Sequence, residues 1–103
     1  MLLNFEEFIS KTCHCKKNDD GSYSDFGIIL WDDNTKYVGN IKESLAHGLG
    51  IYKAINGLYF KGHFDNEKAK GFGQYINPSL GVEYIGYWAQ NYQHEYGIIV
   101  IIL

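Results

Sequence analysis

Short stretches from residue 25 onward place apolar residues or glycine at every second position. In residues 60–64, for example, Phe60, Gly62 and Phe64 alternate with Lys61 and His63. Side chains two residues apart lie on the same face of a β-strand. The stretches therefore predict short strands, and the polar segments between them predict hairpin turns.

The predicted strands recur with a fixed period. The glycines at positions 27, 50, 73 and 97 are separated by 23, 23 and 24 residues, and Tyr37, Phe60 and Tyr84 follow with steps of 23 and 24. Each period contains two strand types, the first at residues 37–41, 60–64 and 84–88 and the second at residues 48–52, 71–75 and 95–99. Such a period indicates a tandem array of small units, which usually provides a binding surface or a structural support.

Glycine recurs inside these strands although it is unfavourable there by roughly 0.5–1 kcal/mol relative to alanine. We predict that an aromatic ring from a neighbouring strand lies across each glycine, because a β-carbon would collide with the ring. Asn34, Gly57 and Gly81 share the position ahead of each first strand. These residue types predict a turn residue with positive φ.

The N-terminal residues follow a different pattern. Leu2, Phe5, Phe8 and Ile9 have helical spacing, which predicts a short helix over residues 1–12. Residues 13–24 are polar and predict a linker. The chain is thus divided into a helix with its linker, residues 1–24, and a repeat array, residues 25–103. The helix either packs on the chain's own sheet or inserts into a groove of a partner.

Composition narrows the class of function. A hydrophobic content of 46% in 103 residues indicates one small folded domain. The net charge of −3 argues against a nucleic-acid binder, which would carry a basic stripe. Cys13 and Cys15 are the only cysteines, so we expect no disulfide framework and a reducing, cytoplasmic location. We predict neither a signal peptide nor a transmembrane helix.

Motifs that carry chemistry are weak in this sequence. Cys13, His14 and Cys15 are metal-ligand types, but adjacent ligands supply at most two useful bonds and no second cysteine pair exists. The Gly-x-Gly pairs at residues 48–50 and 71–73 lie inside predicted strands and lack the helix that a phosphate loop needs. We therefore expect no enzyme activity, catalytic residue, metal, cofactor or small-molecule substrate.

The C-terminal residues predict a surface for partners. Residues 97–103 are apolar on both faces of a predicted strand and carry no charged side chain, which makes a free edge prone to association. The candidate partner-binding residues are Ile85, Tyr87, Ile98, Ile99, Val100, Ile101, Ile102 and Leu103 in the array and Leu2, Phe5 and Phe8 in the predicted helix. The partner is another protein subunit or a second copy of this chain; alternatively, the apolar run ends the core beneath the N-terminal helix.

The recurring residues resemble the MORN repeat: Tyr-x-Gly at residues 37–39, Gly-x-Gly-x-Tyr at residues 48–52 and a glycine at position 57. The second unit has Phe60 for the first tyrosine, and the third has Glu95 for a glycine and Ile99 for a tyrosine. The resemblance implies an all-β fold, an elongated and twisted antiparallel sheet of tandem β-hairpins. It also implies a role in cytoskeletal, ciliary or membrane-contact assemblies, where members of the family are mainly scaffolds.

We therefore expect a non-enzymatic scaffold or structural subunit that uses a MORN-repeat β-sheet for protein–protein assembly in a larger intracellular complex. The family resemblance favours a cytoskeletal or ciliary setting. The alternative is a peripheral membrane adaptor that binds phosphoinositide head groups. The 9 Lys and Arg argue against this alternative because they are dispersed along the chain. A third reading is a regulatory array for an enzyme supplied by another chain.

Overall fold

A computed structural model describes residues 11–21 and 23–101 of the chain. They form eight β-strands: β1 (Lys11–Lys17), β2 (Tyr23–Trp31), β3 (Lys36–Lys42), β4 (Leu45–Lys53), β5 (Tyr59–Asp65), β6 (Lys68–Asn77), β7 (Val82–Ala89) and β8 (Tyr92–Ile101). The strands lie in one sheet in chain order, and each pairs antiparallel with the next. The predicted all-β antiparallel fold is confirmed.

Strand β1 occupies a segment for which the sequence predicted other structure. The predicted helix, with Leu2, Phe5 and Phe8, lies outside the described residues except for residues 11 and 12, which belong to β1. Residues 13–17 were predicted to be part of a linker, yet they continue the strand opposite β2. Cys13 packs against the buried core, so one apolar position in a polar segment is enough to anchor the strand. The sheet therefore begins ahead of residue 25.

One face of the sheet, called here the inner face, carries the core. Its buried apolar residues are Ile29, Trp31, Tyr37, Ile41, Ala46, Tyr52, Phe60, Phe64, Ala69, Tyr75, Tyr84 and Trp88. Among the described residues no helix or second sheet covers this face. The rings bury one another instead.

Aromatic rings of successive units interlock edge to face. The Phe64 ring centroid lies 5.1 Å from that of Tyr37 and 5.2 Å from that of Phe60. Trp88 repeats the arrangement, 5.0 Å from Phe60 and 5.4 Å from Tyr84. Such pairs contribute about 0.5–1.5 kcal/mol beyond the burial of their area. Each unit thus depends on its neighbours for its share of the core.

Glycines form a continuous row on this face. The register aligns Gly27, Gly39, Gly50, Gly62, Gly73, Gly86 and Gly97, one on each strand from β2 to β8. Tyr37 covers Gly50, Phe60 covers Gly73, and Tyr84 covers Gly97. A β-carbon on Gly73 would lie 2.5 Å from Phe60 Cζ. The predicted cover of strand glycines by rings is confirmed at these three positions.

Three other glycines of the row, Gly39, Gly62 and Gly86, are required by the backbone of the facing strand. A β-carbon on Gly62 would lie 2.8 Å from the Cα of Gly73, and one on Gly86 would lie 2.5 Å from the Cα of Gly97. The ring near each of these glycines belongs to the glycine's own strand, as Tyr84 does for Gly86, so the prediction of a ring from a neighbouring strand does not hold at these positions. Glycine is needed on both strands of each hairpin, on one for the ring and on the other for close approach.

The turns contain residues with a left-handed backbone conformation. Asn34, Gly57 and Gly81 have φ of 69°, 87° and 64°, as predicted. The hairpin within each unit closes with two consecutive residues of positive φ: Glu43 and Ser44, Asn66 and Glu67, and Gln90 and Asn91. Two such residues make the type I′ turn, whose twist matches that of the flanking strands.

The turn of one unit is bonded to the unit before it. The backbone N–H of Glu67 donates to the carbonyl oxygen of Ala46 at 2.9 Å. Asn91 repeats this contact with Ala69 at 3.1 Å, and its Oδ1 also accepts the N–H of Ala69 at 2.6 Å. Adjacent units are therefore joined at their turns as well as along their strands.

A β-bulge recurs at the first residue of each Gly-x-Gly motif. Gly48 and Gly71 have φ of 90° and 79° at the points where the register shifts in β4 and β6. Glu95 occupies the same place in β8 and keeps the left-handed conformation, with φ 61°. Glu95 in place of glycine therefore leaves the backbone geometry of the bulge intact. The left-handed conformation is unfavourable for Glu95 because this residue has a β-carbon.

Candidate functional site

The outermost strand of the repeat array, β8, pairs with β7 along one side, and no described strand pairs with its other side. Ile98, Ile99 and Ile101 are 68%, 54% and 63% exposed. Ile99 occupies the position that Tyr52 and Tyr75 hold in the two earlier units, where they are 4% and 3% exposed. A following hairpin pairs with the strands of both tyrosines, whereas no described strand follows β8. Among the described residues, nothing thus covers this core position on β8 as the following hairpins cover Tyr52 and Tyr75.

The exposed apolar residues continue onto the outer face, the side of the sheet opposite the core. Tyr87 packs against Phe72 with ring centroids 5.7 Å apart and stays 49% exposed. Ile85 lies opposite Ile98 in the register of β7 and β8, and Tyr96 is 75% exposed. The C-terminal apolar surface is defined here as Phe72, Ile85, Tyr87, Tyr96, Ile98, Ile99, Val100 and Ile101.

This surface gathers the described members of the predicted partner-binding set. Ile85, Tyr87 and residues 98–101 lie together on β7 and β8. Ile102 and Leu103, like Leu2, Phe5 and Phe8, lie outside the described residues. Phe72 and Tyr96 were not predicted, although both occupy the middle position of a Gly-x-Gly-like motif. Alternate residues of a strand lie on opposite faces, so this middle position lies on the outer face. An apolar residue there therefore indicates an apolar patch on the outer face.

Polar groups lie at the border of the C-terminal apolar surface. His94 Nε2 is 3.3 Å from Glu95 Oε1, with both side chains more than half exposed. Gln74 Nε2 donates to Glu83 Oε1 at 2.9 Å. None of the eight residues that define the surface is charged. An apolar centre with a polar border is typical of a protein–protein interface.

A second apolar depression, the N-terminal groove, lies on the outer face of β2 to β5. It is lined by Phe26, Val38, Gly39, Leu49, Gly50, Ile51, Lys61 and Gly62 and has a volume of about 260 Å³. The glycine row forms its floor. The sequence analysis missed it because the residues that line it come from four strands, and only the sheet register brings them together.

Lys61 lines the N-terminal groove, and two further lysines lie beside it. Lys36 lies directly opposite Lys53 in the register of β3 and β4, and both border a shallow depression with Val38 and Ile51. Lys53 Nζ is 5.8 Å from the centroid of the Tyr59 ring. Like charges on opposed residues of a sheet are unfavourable. The lysines beside this apolar groove are therefore a second candidate binding feature.

The ion pairs around Asp65 are exposed surface contacts. Lys70 Nζ and His47 Nδ1 lie 3.7 and 3.6 Å from the two carboxylate oxygens of Asp65. All three side chains are more than a third exposed, so these pairs contribute little to stability. In the described part of the chain, no group of three or more His, Cys, Asp or Glu is placed to hold a metal ion.

Comparisons with known proteins identify no relative: the sequence matches no protein-family model and no curated protein. Within residues 11–21 and 23–101, no helix is long and apolar enough to cross a bilayer. The two apolar surfaces are the candidate binding features of the described sheet.

Proposed function

We propose that this chain is a non-enzymatic scaffold subunit of the MORN-repeat type, and that it joins a larger protein assembly through the C-terminal apolar surface. The observation that carries the proposal is the 54% exposure of Ile99 at a position that is almost fully buried in the two preceding units. Fully burying one such side chain stabilises a complex by about 1.5–3 kcal/mol.

The repeat geometry supports the MORN part of the proposal. Two strands per unit, a tyrosine or phenylalanine over a glycine, and a left-handed glycine in Gly-x-Gly recur with the spacing of the family motif. An intracellular site of action, in a cytoskeletal or ciliary assembly, belongs to the same proposal and is supported by the family resemblance alone.

The test compares two isoleucine variants in extracts of the native source. Ile99→Lys places a charge in the C-terminal apolar surface, whereas Ile55→Lys makes the same change in the turn after β4, where Ile55 is 73% exposed. We expect the tagged wild-type chain and Ile55→Lys to migrate as part of a complex much larger than the chain, and Ile99→Lys to be released from it. Retention of Ile99→Lys in the complex would refute the proposal.

The lysines around the N-terminal groove favour a second candidate function, contact with an anionic membrane surface such as one containing phosphoinositides. Lys36, Lys53 and Lys61 would meet the head groups while Phe26 and Leu49 enter the interface. Sedimentation with vesicles of anionic lipid at two salt concentrations tests this. Binding that weakens with salt and with Lys36→Glu/Lys53→Glu, but not with Lys68→Glu, supports it; equal binding to neutral vesicles excludes it.

A further inference from the structure

The two edges of the sheet differ in how they are protected. Three of the seven residues of β1 are lysines, and the register of this strand shifts between His14 and Lys16. Charged residues and bulges are features by which natural sheets prevent further pairing. The β8 edge has neither over residues 97–101, where every residue is apolar or glycine. The sheet is therefore open to extension at β8 and not at β1.

The bulge in β8 limits where another strand fits. The register passes from Gly86 opposite Gly97 to Trp88 opposite Gln93, so residues 94–96 are not a regular strand. The five residues from 97 to 101 are regular and stay in step with β7. A strand added to this edge has these five residues to pair with.

We propose that the strand added at this edge is β8 of a second copy of the chain, paired antiparallel about a two-fold axis. In a five-residue segment the axis passes midway between the two copies of the central residue, so Ile99 faces Ile99 of the second copy. Ile98 then faces Val100, and Gly97 faces Ile101. The inference rests on the proposed function, since it names the partner of the same surface.

Self-pairing fits the chemistry of this edge better than pairing with β1. In the two-fold arrangement apolar residues lie opposite apolar residues along the whole segment, on both faces of the sheet. A head-to-tail contact would place the lysine-rich strand β1 against β8, and repetition of that contact would build an open filament. The two-fold contact closes after two copies and extends one sheet from eight to sixteen strands.

Sedimentation equilibrium of the purified full chain tests the association. We expect a reversible monomer–dimer equilibrium for the wild type and for Ile55→Lys. Ile99→Lys brings two ammonium groups together at the axis, so its dimer dissociation constant should rise about 100-fold or more. A wild-type chain that remains monomeric up to ~1 mM, where binding would be weaker than about −4 kcal/mol, would overturn the inference.

Cysteine cross-linking tests the register. In a background of Cys13→Ser and Cys15→Ser, Ile99→Cys chains should form a disulfide-linked dimer under mild oxidation, because directly opposed residues bring their β-carbons within disulfide range. Ile98→Cys and Val100→Cys chains should each form no disulfide-linked dimer when oxidised alone and should cross-link to one another when mixed. Efficient cross-linking of Val100→Cys with itself, or none at Ile99→Cys, would overturn this pairing.

The inference and the proposed function fail in different ways. A purified chain that is monomeric, but whose large complex in native extracts is lost with Ile99→Lys, contradicts self-pairing and leaves the scaffold proposal standing. A purified dimer that enters no larger complex in extracts supports self-pairing and contradicts the scaffold proposal.

Discussion

The phenolic oxygen of the covering ring adds hydrogen bonds to two of the three units. Tyr84 Oη lies 3.0 and 3.1 Å from the carbonyl oxygens of Tyr87 and Tyr96, and its one hydrogen is donated to either oxygen or shared between them. Tyr37 makes the same contacts in the first unit, the shorter one at 2.7 Å to Asn40. Burial raises the pKa of the Tyr37 phenol above its usual range, so it remains a donor throughout neutral pH. Phe60 has no hydroxyl to offer at this place.

The substitution Phe60→Tyr should therefore stabilise the protein. The new hydroxyl would meet the carbonyl oxygens of His63 and Phe72, the counterparts of those bound by Tyr84. We expect the free energy of unfolding to rise by about 0.5–1.5 kcal/mol in urea denaturation. The matched control, Tyr84→Phe, should lower it by a similar amount. A loss of stability in Phe60→Tyr would show that the units are not equivalent at this position.

The left-handed bulge position provides a second prediction at the residue scale. Glu95 has φ 61° where the earlier units have glycine. Glu95→Gly should raise the free energy of unfolding by about 1 kcal/mol, because the left-handed conformation costs a residue with a β-carbon roughly 1–2 kcal/mol. Thermal denaturation measures the change.

Gly71→Ala is the reverse control for the bulge. Its backbone has φ 79°, and a β-carbon there would be 3.9 Å from the nearest atom, the Cβ of His63. Only the backbone conformation is therefore unfavourable, and we expect a loss of about 1–2 kcal/mol. A neutral result would remove the basis for the prediction at Glu95.

At the scale of the strand, the glycine row fixes the distance between neighbours. Gly50→Val introduces a branched side chain where the Tyr37 ring already lies. Although valine favours strands, we expect the free energy of unfolding to fall by about 3 kcal/mol or more, because the ring cannot move without disturbing Phe64. Leu49→Val, at an exposed position one residue away, should change it by less than about 0.5 kcal/mol. Comparable melting temperatures for the two variants would contradict the packing.

The sequence predicts an element when the residue pattern that specifies it lies within the element itself. The strands of the three units, the turn residues Asn34, Gly57 and Gly81, and the ring over Gly50 follow from spacing alone. Strand β1 does not, because its residues are mostly polar and its pairing with β2 is the source of its structure. The prediction also missed the close backbone approach at the facing glycines, because this approach exists only once the strands are in register.

The candidate site was likewise predicted only where its residues lie in a single segment. The apolar run at residues 97–103 indicated an association surface, and the described part of it is exposed on β8. Phe72 joins that surface from β6, two strands away, through its contact with Tyr87. The N-terminal groove is likewise made by the sheet register and not by any single segment. Contacts across strands are thus the part of the site that spacing does not reveal.

At the scale of the molecule, the described chain is a one-layer sheet in which each unit completes the core of the unit before it. Trp88 lies between rings of the second and third units, as Phe64 lies between rings of the first and second. The third unit has no described successor, so Ile99 stays exposed. The exposure of Ile99 supports both the proposed assembly role and the proposed self-pairing of β8.

A double-mutant cycle on Phe60 and Gly73 tests most directly whether rings over glycines lock the units together. Gly73→Ala places a β-carbon near Phe60 Cζ, and Phe60→Leu removes that atom. We predict that Gly73→Ala lowers the free energy of unfolding by about 2–3 kcal/mol in the wild type and by at least ~1 kcal/mol less in the Phe60→Leu background. Costs that add to within about 0.5 kcal/mol would contradict the account.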